Sequence, residues 1–202
     1  MLRVDNLSCA RGPRVLFRDL SFSAVAGTLV VVTGPNGSGK STLLRTLAGL
    51  TRAEAGTVAW EAPERTLDEA RAYLGHAAGW KDNLSVTENL GLAWSLDGET
   101  AANEPGAAAA ALERVGLSRQ RSLQVMRLSQ GQRKRLHLAR LCRSTRPLWL
   151  LDEPSAALDD AGTALLETLV GEHLARGGVA AVATHLPLAI PSGRTQNVAL
   201  AG

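Results

Sequence analysis

Short apolar runs alternate with turn residues and amphipathic stretches along the chain, and their order predicts a mixed α/β fold. Leu2 to Leu7, Leu20 to Val25 and Thr28 to Thr33 read as strands, the last following a turn at Gly27. Lys40 to Leu50 carries Leu43, Leu44, Leu47 and Leu50 at helical spacing. A strand is expected over Thr57 to Trp60, and a shorter one around Tyr73 to Gly75, ending at His76.

Ser85-Val86-Thr87-Glu88 has the form of a capping box, in which a hydroxyl and a carboxylate satisfy each other's backbone amides. It predicts a helix from about Val86 to Trp94. The polar, glycine-containing stretch from Asp97 to Gly106 reads as a loop. Pro105 is placed to start an alanine-rich helix that Gly116 ends, and another helix is expected from about Gln130 to Arg143. Beyond this mostly helical section, residues 77 to 144, the alternation returns: strand at Leu148 to Asp152, helix near Thr163 to Leu174, strand at Val179 to Thr184. That order predicts a largely parallel sheet flanked by helices.

With 202 residues, of which 45% are hydrophobic, the chain is expected to form one domain over 1–202, the helical section being a subdomain within it. Only 3% are aromatic, so packing rests on Ala, Val and Leu. A net charge of +3, from 22 basic against 19 acidic residues, is too weak a polyelectrolyte signal to argue for nucleic acid. Cys9 and Cys142 lack metal-type spacing and suit free thiols in a reducing compartment. The N-terminus reaches Arg3 and Asp5 at once, unlike a secretory signal, so the mature chain is expected to start there. No apolar run has the length to cross a bilayer, so a membrane role is expected to come through partners.

Gly34-Pro35-Asn36-Gly37-Ser38-Gly39-Lys40-Ser41 matches the phosphate-binding loop pattern between an expected strand and an expected helix, with Thr42 next in the helix. Glycines let successive backbone amides turn toward one centre. Those amides and the helix N-terminus favour phosphate, Lys40 reaches the outer phosphates, and the Ser41 hydroxyl can ligate Mg²⁺. Chance gives this pattern in about 0.4% of shuffled chains of this composition, which sets aside an ordinary glycine turn. Only Lys40, Lys81 and Lys134 break the chain's preference for arginine. One of the three stands where a compact ammonium suits a phosphate cradle.

Leu148 to Pro154 is an apolar strand ending in two adjacent carboxylates. Asp152 can hold Mg²⁺ through water, and Glu153 is then placed as general base toward an attacking water. Leu128-Ser129-Gln130-Gly131-Gln132 precedes Arg133-Lys134-Arg135 and an apolar-rich helix, and taken alone the motif favours reading Ser129 as a plain N-cap. The phosphate loop, this pentapeptide and the Asp-Glu strand end occur in one order, and together they resemble the ATP-binding cassette family across nearly the whole chain.

The resemblance implies a phosphate-loop NTPase fold with an N-terminal antiparallel β part and a helical subdomain. It implies a head-to-tail homodimer around two Mg²⁺-ATP, with Ser129, Gln130, Gly131 and Gln132 acting in trans on ATP held by the second copy. It puts Asp159 at the dimer seam, and His185, after Thr184, on the γ-phosphate and water. Where the family usually stacks an aromatic residue on adenine, this sequence has Arg11. Where it usually has a glutamine facing the transport subunit, this sequence has His76. Gly75-His76, Gly177-Gly178 and Thr184-His185-Leu186-Pro187-Leu188 are similar to the haem exporter ATP-binding subunits of c-type cytochrome maturation, although Ala77-Ala78 replaces the Gln-Pro found there.

The expectation is therefore a peripheral ATPase subunit on the cytoplasmic face of the inner membrane, driving integral membrane permease subunits for haem export or handover and binding no nucleic acid. The ATPase subunit of another small bacterial exporter, for lipid, lipoprotein or drug, remains an alternative, as does a soluble cassette ATPase acting on nucleic acid.

Overall fold

The computed structural model describes residues 1–75, 79–99, 104–185, 188–190 and 194–201. His76 and the start of the expected helical section lie outside the described residues, as does part of the expected loop from Asp97 to Gly106. The chain divides into two compact units. One comprises Met1–His76, Arg146–Pro154 and Val170–Gly202, and the other Ala77–Thr145 and Ser155–Leu169.

The first unit contains two sheets. β1 (Leu2–Arg11), β2 (Arg14–Ala24) and β4 (Ala55–Trp60) form an antiparallel sheet in the order β2-β1-β4. Strands β3 (Thr28–Thr33), β5 (Arg71–Leu74), β6 (Leu148–Asp152), β7 (Val179–Ala183) and β8 (Arg194–Ala199) form a sheet in the order β5-β6-β7-β3-β8. Every pairing within it is parallel. All five residues of β6 and of β7 are buried, as expected of strands covered on both faces. Leu148, Leu150, Val179, Ala181, Ala183, Val30 and Val32 join Leu43, Leu44 and Leu47 of α1 (Lys40–Leu47) in one hydrophobic core.

Helix α1 stops at Leu47, short of the expected Leu50. Gly49 adopts φ +67°, its N–H bonds to the Thr46 carbonyl, and the Leu50 N–H bonds to the Arg45 carbonyl. These two bonds make a Schellman cap, which ends the helix and leaves Leu50 58% exposed. A short helix α2 (Leu67–Ala70), absent from the sequence-based expectation, begins at a Thr66–Glu69 capping box. Trp149 stacks on His173 at 3.9 Å between ring centroids and 10° between planes, and the His173 Nε2–H donates to the Val179 carbonyl at 3.1 Å. Burial pushes the His173 imidazole down to about 4.

In the second unit, α3 (Val86–Leu96) starts at the expected Ser85–Glu88 capping box. Asn89, one turn in, is buried and holds the preceding loop: its Oδ1 accepts from Lys81 N, and its Nδ2 donates to the carbonyls of Lys81, Leu84 and Ser85. Helix α4 (Ala107–Arg114) is capped by Gly106 at φ +80°, so it begins two residues after Pro105, and Gly116 follows its end at φ +73°. Helix α5 (Gln130–Leu141) stops two residues before the expected Arg143. Helix α6 (Asp160–Ala175), whose residues to Leu169 belong to this unit, begins three residues before the expected Thr163, because Asp159 caps it by accepting the Gly162 N–H at 3.0 Å. Among the described residues, no helix is long and apolar enough to cross a membrane.

Candidate functional site

In the first unit the C-terminal ends of three neighbouring strands, β6, β7 and β3, bring the phosphate loop, two carboxylates and a histidine to one edge of the sheet. Parallel α/β sheets bind ligands at this edge, because loops leave the strands there and helix N-termini point into the gap.

Backbone geometry shapes the loop after β3. Gly34 stands at φ +146°, and a Cβ there would lie 2.6 Å from the Leu200 carbonyl and from Ser38 Oγ. Gly39 stands at φ +102°, where a Cβ would meet Leu16 Cβ at 3.0 Å and Phe17 Cδ1 at 3.2 Å. Only glycine satisfies both the left-handed conformation and the close approach. Gly39 caps α1 without a side-chain acceptor, and the first turn of α1 holds no acidic residue, so its N–H groups are left for an anion.

Two side chains complete the cradle. Ser38 is buried and its Oγ has no hydrogen-bond partner, a donor held in reserve inside the loop. Lys40, 7% exposed, donates from Nζ to the Gly34 carbonyl at 2.8 Å and the Pro35 carbonyl at 3.1 Å. Its ammonium is thereby folded back over the loop that surrounds it. Pro35, Asn36 and Gly37 are exposed along the loop's crest, and Thr42 follows in α1.

Ser41 Oγ donates to Asp152 Oδ1 at 2.9 Å, which ties the start of α1 to the end of β6. Asp152 is buried, and with burial of the ring as the larger cause its charge pushes the Tyr73 phenol up. Among the described residues no three His, Cys, Asp or Glu side chains cluster as a metal site. A hydroxyl beside one carboxylate instead suits Mg²⁺, which keeps several waters and takes its other ligands from phosphates.

Glu153 adopts φ +48°, unusual for a residue with a side chain, and its N–H bonds to the Ala183 carbonyl at 2.9 Å. Such strain costs on the order of 1–3 kcal/mol and persists where the surroundings fix it. Here it turns the Glu153 side chain toward His185, whose Nε2 lies 3.3 Å from Glu153 Oε1. The carboxylate is 25% exposed and the imidazole 49%, so both face an accessible edge.

Arg11 ends β1 opposite Arg14 and is exposed, and the same hairpin places Leu16 and Phe17 against the position of Gly39. The second unit holds the remaining candidates. Ser129 caps α5, with its Oγ accepting from Gln132 N at 3.2 Å while Gln132 Oε1 accepts from Ser129 N at 3.0 Å. Locally the plain N-cap reading of Ser129 is thus correct. Gln130 and Gly131 occupy the first turn, and a Cβ on Gly131 would lie 3.3 Å from the Ala157 carbonyl. Asp159 accepts two hydrogen bonds from Arg135, which, followed by the Gly162 amide, hold its carboxyl below the usual range. Arg135 is not legible in the sequence, since nothing in a run of three basic residues reveals which carboxylate each of them meets.

The family model for "ABC transporter" matches residues 17–156. The cytochrome c biogenesis ATP-binding export protein CcmA of Paramagnetospirillum magneticum is 46% identical over 191 residues, covering 92% of this chain and 88% of that protein. Its counterpart in Nitrobacter hamburgensis is 48% identical over 188 residues, covering 91% of each. Among solved structures, the dimeric, post-hydrolysis ATP-binding cassette MJ0796 bound to ADP and Pi superposes with a TM-score of 0.77 at 22% identity, over 92% of this chain and 88% of that one. The phosphate loop, the strand-end carboxylates and these matches define an ATP-binding subunit of the α/β phosphate-loop class. The chain belongs to the ABC transporter family.

Proposed function

We propose that this protein is the ATP-hydrolysing subunit of an export complex serving cytochrome c biogenesis, with haem as the species exported or handed over. The observation that carries the ATPase reading is the grouping of Lys40, the Ser41–Asp152 pair and the Glu153–His185 pair at one sheet edge. Relatives named as cytochrome c biogenesis ATP-binding export proteins, at 46% and 48% identity over nine-tenths of the chain, support the process.

Each residue has a task in this reading. The amides of Gly37 and Gly39 in the loop and of Lys40 at the start of α1, with the unpartnered Ser38 hydroxyl, bind the phosphates of ATP. Lys40 exchanges its two loop carbonyls for phosphate oxygens. Ser41 and Asp152 hold Mg²⁺, which when bound offsets charge building up on the phosphates. Glu153 accepts a proton from the attacking water, and His185 fixes the orientation of that water and of the terminal phosphate. Arg11 offers its guanidinium plane to the adenine ring.

Ser129 and Gly131, in the same reading, donate to the terminal phosphate of ATP bound by a second copy, with Gln130 and Gln132 shaping the turn and Asp159 at the seam. The dimeric MJ0796 cassette supports this arrangement through its shared fold. Closure of the dimer supplies the mechanical step, and hydrolysis resets it. In the same reading the chain is a peripheral subunit that reaches the membrane through permease partners, at the cytoplasmic face.

Co-purification from detergent-solubilised membranes tests the assignment. Recovery of cytochrome-maturation membrane proteins with the tagged chain is expected; stable recovery of a different permease in their place would contradict it.

A further inference from the structure

We infer that Arg135 is a positioning residue that holds the Ser129–Gln132 turn and the 155–159 loop together as one trans-acting surface, an inference that rests on the head-to-tail dimer proposed above. Arg135 lies on α5 beyond the Ser129 cap. Its Nη2 donates to both carboxylate oxygens of Asp159, at 2.7 and 2.9 Å, and its Nη1 donates to the Val115 carbonyl at 3.2 Å. One guanidinium therefore ties α5 to the residue that caps α6 and to the end of α4. A lysine in its place has no planar fork to serve a carboxylate and a carbonyl at once.

The two segments it joins already touch. A Cβ on Gly131 would stand 3.3 Å from the Ala157 carbonyl, close enough that a larger residue would push the loop by a few tenths of an ångström. Ala157 is held at φ +65° in a turn closed by the Leu158 N–H on the Ser155 carbonyl. Asp159 is fixed a second time, since Oδ1 also accepts the Gly162 N–H at 3.0 Å. Swinging Asp159 away from Arg135 would thus disturb the α6 cap as well. Arg133 adds a tether on the other side, from Nη1 to Asp82 Oδ1 at 3.3 Å.

Stability does not account for this arrangement. The Asp159 side chain is 67% exposed, and an ion pair with one partner so open to solvent adds little to folding. What the pair does supply is orientation. Donors that must reach a phosphate on another protomer need placement to within about 0.5 Å, and the ion pair fixes the first turn of α5 against the loop beside it.

The test uses the full chain carrying Glu153→Gln, with ATP-driven dimerisation followed by sedimentation over a series of protein concentrations. Arg135→Ala and Asp159→Asn are each expected to raise the concentration for half-dimerisation roughly tenfold, and the double variant no further than the worse single one. Affinity of the undimerised chain for a fluorescent ATP analogue is expected to stay within about twofold, and Tm within roughly 3 °C. Arg135→Lys is expected to recover part of the loss. Unchanged dimerisation in both single variants would overturn the inference. So would a loss of dimerisation that tracks an equal loss of nucleotide affinity or Tm, which would mark a merely structural role. Failure of the Glu153→Gln chain itself to dimerise with ATP would overturn the dimer reading and this inference with it.

Discussion

Ser41 and Asp152, 111 positions apart in sequence, meet in a hydrogen bond of 2.9 Å between a helix start and a strand end. The parallel sheet makes this possible: β6 and β3 both run to the same edge with β7 between them, so the residue that leaves one strand faces the loop that leaves the other. A hydroxyl and a carboxylate so placed form the protein's part of a hard-cation site that phosphate oxygens and water complete.

Asp152→Asn keeps an acceptor for Ser41 but removes the charge. ATP affinity measured in excess Mg²⁺ is expected to fall roughly tenfold or more, while affinity measured in EDTA stays nearly unchanged. Titration with a fluorescent nucleotide under both conditions checks this. An equal loss in EDTA would move Asp152 from metal binding to the shape of the loop.

Arg11 stands exposed at the tip of the β1–β2 hairpin. A guanidinium stacked on a base at an open site contributes on the order of 0.5–1 kcal/mol. Arg11→Ala is therefore expected to weaken ATP binding about two- to fivefold and to leave inorganic tripolyphosphate binding unchanged. Equal weakening of both ligands would show that Arg11 acts only through its charge.

Acid is expected to destabilise the fold through His173. Its imidazole titrates at about 4 when folded and near 6.5 when free, so between these values the unfolded chain binds a proton that the folded chain excludes. The contribution is complete above pH 6.5, falls as pH drops through that window, and levels off below about 4. It amounts to about 3 kcal/mol. His173→Phe keeps a ring against Trp149 but cannot charge, so urea unfolding from pH 7 to 5 should show a flatter dependence on pH than the wild type. A slope identical to wild type would contradict this assignment.

The features most legible in the sequence were those with local causes. The phosphate loop is a matter of backbone conformation at Gly34, Gly37 and Gly39, and the helix starts at Ser85 and Ser129 are reciprocal caps between residues three apart. β6 and β7 were legible because both of their faces are buried, which demands unbroken apolar runs. β8 was not: Arg194, Thr195, Gln196 and Asn197 carry little apolar surface, and the strand is held at the sheet edge by its backbone pairing with β3. The extent of α1 was overestimated because Leu50 fits the helical spacing, yet Gly49 turns the chain into a Schellman cap first.

Within the site, the residue types were readable but their partners were not. Glu153 could be singled out from a strand end and His185 from the family resemblance, whereas their approach to 3.3 Å depends on the strained turn at Glu153 and the hydrogen bond from its amide to Ala183. Arg135 and Asp159 meet across 24 positions only because α5 and the start of α6 pack in one unit.

The central claim, that the edge of this sheet hydrolyses ATP with Glu153 as the base, is tested most directly by Glu153→Gln. Glutamine preserves size and polarity at the strained turn but cannot take a proton. Steady-state turnover is expected to fall by about 10²–10⁴-fold while affinity for Mg²⁺-ATP is retained. Turnover within about twofold of wild type, with ATP still bound, would contradict the account.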